Sequence, residues 1–375
     1  MKSLFQLGVL AAAAMAYFAP FASAAAADEH WVIQYQYRDV DSTLTLNDVS
    51  FPDEIHGIAC GYTTDRKGKD TPLVMVTNDA GNTWSDVKVK DPCLSLFFLP
   101  DTTGWMVTDK DIWYTEEGGR NWTKMKNSPD NVLRIWFFDH QHGFATGREK
   151  HVFETKDGGG TWAPLPVAGT APGDPTYTTY GDIQFSRLNG IISGWDVPPT
   201  KGGPAWMDPT KAKAARQVPH MSILLQTKDG GVTWKENDSS IFGQITRVAM
   251  NPLEMALGLV EFKDEFEYPS EVYRIDLSTG KSELAYRDKA HAITDVRLFP
   301  DSTRSLLAGF ETSGPIYRSP IPGKLKVLTS SDNAHWTEMP VDYRAVAHSA
   351  VITGPDDKHV WIGTDTGMIL KLVAE

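Results

Sequence analysis

The chain is poor in cysteine, with two in 375 residues, Cys60 and Cys93. That excludes a disulfide-rich scaffold and any four-cysteine metal centre. Basic residues are also short: 36 Lys and Arg stand against 48 Asp and Glu, a net charge of −12. A surface of that sign repels phosphate backbones, so nucleic acid is not an expected partner. After Phe21 no run is apolar enough to cross a bilayer as a helix. No phosphate-binding loop and no CxxC occurs, and "GIISGWD" lacks the spacing and the strand-to-helix context of a nucleophile elbow. Nothing in the chain calls for a cofactor.

One long apolar run is present, from Leu4 to Phe21. It follows Lys2 and leads into Ala22-Ser23-Ala24, a small-x-small cleavage site. Residues 1–24 therefore read as a secretory signal peptide and 25–375 as the mature protein, with an uncleaved anchor as the alternative. No cysteine follows the run, so a lipid anchor is not expected. The mature chain is expected to be exported, to the periplasm or to the thylakoid lumen of a photosynthetic host, without further membrane insertion. Loss of Lys2 takes the net charge from −12 to −13. In an oxidising compartment two states are open to Cys60 and Cys93: a disulfide, or two small buried side chains in neighbouring strands.

What the chain does contain is repetition. "TKDGGGTW" (155–162) and "TKDGGVTW" (227–234) differ at one position. The pattern returns as "TNDAGNTW" ending at Trp84, as "TEEGGRNW" ending at Trp122 and as "SSDNAHW" ending at Trp336. Glycine suits a backbone that turns with positive φ, and an Asp carboxylate accepts backbone N–H groups inside the turn. Thr-Trp then opens a strand, with the indole expected to be buried. The repeat is a hairpin lock, so Asp79, Trp84, Trp122, Asp157, Trp162, Asp229, Trp234, Asp332 and Trp336 are structural.

A second column, x-Φ-x-x-G, occurs at Gly57…Gly61, Gly143…Gly147 and Gly190…Gly194. With one glycine replaced, it recurs at Gly104…Thr108, Glu254…Gly258, Ser305…Gly309 and His359…Gly363. Each copy follows a short strand: "LNDVSF", "CLSLFF", "VLRIWF", "YGDIQF", "ITRVAM", "ITDVRL" and "AVAHSAV". Seven such units at about 50 residues each predict a seven-bladed β-propeller built on Asp-box hairpins. Blade 5 has lost its lock, turning through "DLSTGKSEL" instead. The third strand of blade 6 is either "PIYRS" or "LKVLT". The last repeat stops at "GMILKLVAE" without its fourth strand, whereas "DEHWVIQYQY" near the start imitates "DNAHWTEM". The N-terminal strand is expected to complete blade 7, with Trp31 in the place of Trp336.

The blade pattern "HGFATGREKHVFETKDGGGTW" resembles the photosystem II stability/assembly factor family, over essentially the whole mature chain. That resemblance implies an exported, non-enzymatic seven-bladed propeller that binds a membrane-protein complex or its assembly intermediate. Relatives of similar pattern occur in bacteria without photosystems, so the resemblance fixes the fold better than the partner. A monomer is expected.

Propeller topology sorts the loops onto two faces. Locks and strand 1–2 turns share the lock face, while strand 2–3 loops and blade-to-blade connections share the connection face, where propellers usually bind. The longest insertion, residues 195–220 in blade 4, carries Lys201, Lys211, Lys213 and Arg216 against Asp196 and Asp208, plus Trp206. Residues 261–271 of blade 5 are acidic; these two loops hold either each other or a partner. Tyr177 and Tyr180 are expected to add aromatic surface.

Around the channel, the residue before the first apolar position of each inner strand reads Asp48, Ser95, Arg134, Asp182, Arg247, Asp295 and Ala347 beside His348. The resembled family carries an arginine-rich patch on this face, which implies Arg134, Arg247, Arg297 and Arg344 as partner-binding residues. Three interspersed aspartates dilute that patch; the alternative is a self-satisfied ring of ion pairs. The rival function is a sialidase-like glycoside hydrolase, which needs paired carboxylates or a Tyr/Glu couple facing three arginines. An early Arg-Ile-Pro strand is absent, and seven repeats exceed the six of sialidases. "DHQHG" (139–143) spaces two histidines for a metal but offers no third ligand, so a solvated turn is expected and no metal.

Overall fold

The structure, a computed structural model, describes residues 29–198, 220–262, 268–300, 302–312, 321 and 323–374. The expected leader (1–24), Trp206 and most of the 195–220 insertion lie outside these residues, as do residues 263–267 of the acidic loop. Among the described residues seven four-stranded antiparallel sheets form, with one short helix at Pro166–Thr170. The inner strands are Ser42–Ser50, Cys93–Phe98, Val132–Phe137, Thr178–Ser186, Gln244–Asn251, His291–Leu298 and Ala350–Thr353. Each touches the next, and the seventh touches the first, so the ring is closed. The predicted seven-bladed propeller is the observed fold.

The two glycine columns follow from packing. A Cβ on Gly57, Gly104, Gly143 or Gly190 would lie 2.2 to 2.5 Å from the ring of Phe51, Phe98, Phe137 or Phe185, at the end of the neighbouring inner strand. Those phenylalanines in turn meet the edges of Trp84, Trp122, Trp162 and Trp234. Edge-to-face contacts of this kind contribute about 0.5–1.5 kcal/mol beyond burial. The second glycine answers a bulge. Inner strands of blades 1 to 6 each skip one residue, namely Asn47, Leu94, Leu133, Gly181, Thr246 and Thr294. In blades 1, 3 and 6 a Cβ at the second glycine would stand 1.9 to 2.0 Å from the inner-strand carbonyl two residues before the skipped residue, that of Thr45, Asn131 or Ala292.

The locks form as their residues dictate. In blade 1 the Thr83 N–H donates to Asp79 Oδ1 at 2.8 Å and the Thr77 hydroxyl donates to the same atom at 2.7 Å. Blades 3 and 4 repeat this geometry around Asp157 and Asp229. Each lock also leans on the preceding blade: Gly231 of blade 4 meets Phe144 of blade 3, and Gly119 of blade 2 meets Ile58 of blade 1. Locks are therefore joints between blades as well as hairpins. The lock indoles are half-buried rather than buried, in blade 4 with its seven-residue outer strand as in the blades with short ones.

The N-terminal strand Glu29–Gln36 completes blade 7 against Met368–Ala374, with Trp31 opposite Leu372. Trp31 is buried in a cluster shared by blades 6 and 7. Where a lock would stand, Arg304 of blade 6 donates to Glu29 Oε2 at 2.7 Å, to the Thr329 hydroxyl and to the Asp357 carbonyl. The third strand of blade 6 is Leu325–Ser330, so "LKVLT" is the correct choice. The inner strand of blade 7 starts later than "AVAHSAV" implies, at Ala350, because residues 345–347 hydrogen-bond along the start of that Leu325–Ser330 strand. Cys60 and Cys93 are joined, tying blade 1 to blade 2. In the chain-entropy picture that link contributes about 3–4 kcal/mol.

Candidate functional site: the channel and its rim

The bulge decides which side chains serve the channel. The residue after each skipped position is Asp48, Ser95, Arg134, Asp182, Arg247 or Asp295, the column aligned from sequence. The aspartates reach forward to the following blade. Asp48 Oδ2 accepts the Leu96 N–H at 2.9 Å, Asp182 Oδ2 the Val248 N–H at 2.8 Å, and Asp295 Oδ2 the Ile352 N–H at 2.7 Å. By this equivalence the blade 7 position is Val351, not Ala347, a consequence of the late start of that strand. Ser95 makes the same forward step, donating to the Leu133 carbonyl at 2.7 Å.

The arginines differ from one another. Arg134 Nη1 donates to Asp48 Oδ2 at 2.9 Å, and the Asp48 side chain is 7% exposed. Arg247 is held loosely. Its Nη1 donates to its neighbour's Thr246 carbonyl at 2.9 Å, its Nε lies 3.8 Å from Asp295 Oδ1, and its side chain is 28% exposed. Burial pushes Asp182 and Asp295 up, Asp295 to about 6, although Arg247 beside both works against the rise. Burial acts against the Arg247 charge too, but Asp182, Asp295, Glu261 and Asp48 outweigh it and hold the guanidinium above its ordinary value.

Two other expected site residues stand elsewhere. Arg297 points away from the connection face: its Nη2 donates to the Gly354 carbonyl, at the exit of the blade 7 inner strand toward the lock side. Burial lowers its pKa despite Asp295. Arg344 is on the connection face but is clamped by Asp342, Nη2 to Oδ2 at 2.6 Å. The four arginines therefore do not form one patch. Tyr180 is buried, its hydroxyl donating to the Ala168 carbonyl, so it adds no surface; Tyr177 is exposed.

Of the exposed apolar side chains on the rim, Tyr177 was expected from the sequence, whereas Val40, Phe242 and Tyr343 were missed. Val40, Tyr177, Phe242 and Tyr343 are exposed, and each lies in a blade-to-blade connection: 7 to 1, 3 to 4, 4 to 5 and 6 to 7. Tyr343 is 72% exposed. The available signal was a lone large apolar residue within a polar connection, as in "VDYRA". On the lock face His140 pairs with Asp101 and His142 with Glu154, so the two histidines diverge to separate carboxylates. Glu54, Asp356 and His359 meet at the seam of blades 1 and 7, where His359 Nδ1 is already engaged by Asp356.

No protein-family model matches the chain, and no curated protein matches it either. Solved structures do. A structure of YCF48 bound to D1 peptide superposes with a TM-score of 0.59 at 15% identity, over 93% of this chain and 97% of that one. YCF48 from Cyanidioschyzon merolae gives 0.56 at 14% identity, over 91% and 98%. The GH74 xyloglucanase from Xanthomonas campestris gives 0.61 at 11% identity, over 91% of this chain and 53% of the enzyme. At these identities the likeness is one of fold.

Proposed function

We propose that this chain is a non-catalytic, exported binding scaffold, resembling photosystem II assembly factors, that holds a segment of a membrane protein or its assembly intermediate on the connection face. The observation that carries this reading is the set of exposed apolar side chains, Val40, Tyr177, Phe242 and Tyr343, placed around a channel with partly exposed arginines. Loops held on a rigid scaffold are where binding residues are commonly placed. The likeness to YCF48, in one case bound to a peptide of D1, supports the same use of the fold. The protein works as a monomer in the periplasm, or in the thylakoid lumen of a photosynthetic host, without cofactor or nucleic acid.

A photo-crosslinking residue at Tyr343, with one at exposed Val232 on the lock face as control, tests this in the native envelope. Membrane-protein adducts at 343 and none at 232 are expected; the reverse pattern overturns the reading. The rival is a glycoside hydrolase. It is favoured by the GH74 likeness and by Asp295, whose pKa near 6 suits a general acid. Hydrolysis of xyloglucan or a fluorogenic sialoside at pH 5–6, abolished by Asp295→Asn, would establish it in place of the scaffold.

A further inference from the structure

The channel divides into two unequal halves. On one side Asp48 and Arg134 form a close pair, and Asp48 also accepts two backbone N–H groups. On the other side Arg247 lies between Asp182 and Asp295 without a hydrogen bond to either, its one bond going to the Thr246 carbonyl. Both carboxylates are nearly buried, and each spends one oxygen on the next blade's backbone. The charged groups around this half are Arg134 and Asp48 across the channel, Glu261 at the end of the blade 5 second strand, and Arg297 on the blade 6 strand itself. Ile352 of blade 7 brings only its N–H to Asp295. Three ring carboxylates thus face two ring guanidiniums, and the guanidinium least engaged is the one nearest solvent.

We infer that Asp182, Arg247 and Asp295 form a proton-operated switch, in which proton uptake by Asp295 removes a competing charge from beside Arg247, which then holds a carboxylate of a segment bound on the connection face. The inference rests on the binding reading above and adds its control. With all three aspartates ionised, the ring repels an anionic segment. One proton on Asp295 balances the ring charge and removes one of the four carboxylates that act on Arg247, leaving Asp182, Glu261 and Asp48. The carboxyl group still accepts the Ile352 N–H on its unprotonated oxygen, so the blade 6–7 seam keeps its bond. Burial supplies the proton affinity, since Asp295 titrates near 6 rather than near 4. A glutamate side chain or a chain-terminal carboxylate offers the same two acceptor oxygens and stays largely ionised at pH 5.5.

The test uses the whole mature protein. The carboxyl carbons of 13C-labelled aspartate are titrated by NMR, and a dye-labelled octaglutamate is bound at pH 5.5 and 7.5, with free and amidated C-termini. The Asp295 signal is expected to move with a midpoint near 6, and the peptide to bind at least about five-fold tighter at pH 5.5. Asp295→Asn is expected to bind at pH 7.5 as the parent does at pH 5.5; effects of surface histidines are common to both proteins. Loss of the gain on amidation assigns the terminal carboxylate, and its retention the side chains. A midpoint near 4, equal binding at both pH values, absence of binding at pH 5.5, or unchanged pH dependence in Asp295→Asn overturns the switch. The carboxyl titration needs no variant, and crosslinking at Tyr343 reports on the binding reading separately.

Discussion

Aspartate plays two opposite parts on the two levels of this propeller. In the locks it stands at the protein surface, half-buried at Asp79 and Asp229, and is saturated with donors. The Thr83 hydroxyl and N–H, followed by the Thr77 hydroxyl, hold Asp79 down to about 2, and Asp229 is lowered to about 2 in the same way. In the channel it is buried and given fewer donors, so Asp182 and Asp295 rise. The same side chain is committed to architecture in one place and left electrostatically unsettled in the other. Burial, the largest cause at Asp182 and Asp295, overrides the two backbone donors each carboxylate has; the same two donors lower exposed Asp65. A lock has little left to offer a partner, whereas the channel does.

The largest expected effect comes from breaking a lock. Gly231 has φ 95° and its Cβ would stand 2.4 Å from Phe144, so Gly231→Ala must strain the turn and push blade 4 off blade 3. A loss of about 3 kcal/mol in urea denaturation is expected from strain and overpacking together. Next comes the channel, with the opposite sign. Asp295→Asn is expected to stabilise the protein at pH 7.5 by roughly 2 kcal/mol, since an ionised Asp295 is costly to bury and Asn keeps an acceptor for Ile352. At pH 5 that gain should fall to about half, and it should vanish near pH 4. A gain unchanged between pH 7.5 and pH 4 would mean that it does not arise from the Asp295 charge.

The pH profile of stability sharpens the contrast further. Lock carboxylates with depressed folded values contribute stability that is present above pH 4 and lost as pH falls toward 2. Asp295, with a raised folded value, makes stability decline as pH rises from about 4 to 6. Denaturation midpoints across pH 2 to 8 should show both limbs, and Asp295→Asn should reduce only the upper one, to which Asp182 still contributes. The smallest effect on folding is expected at the rim. Tyr343→Asp should change stability by no more than about 0.5 kcal/mol while reducing capture of the envelope partner.

The locks were legible in the sequence because all their bonds lie within eight residues, so the residue types name the geometry. The clasp was legible for the same reason: "DEHW" copies "NAHW", and Trp31 occupies the expected place. Arg304 was not, since its partners Glu29 and Asp357 are distant in the chain and meet only when blades 6 and 7 close. Nor was the burial of Tyr180, which depends on the helix Pro166–Thr170 covering it. Arg297 follows Asp295 by two residues, yet its guanidinium turns to Gly354 on the lock side of the next blade.

Sequence alone determined the number of blades, the hairpins that join their outer strands, and the strand that closes the ring. These follow from turn chemistry and from glycines placed under phenylalanine rings, interactions that a local pattern records. Only the tertiary structure decided which charges in the channel are satisfied and which are not. A guanidinium's partners there come from three different blades, and their distances are set by how the closed ring packs, which no window of the chain contains.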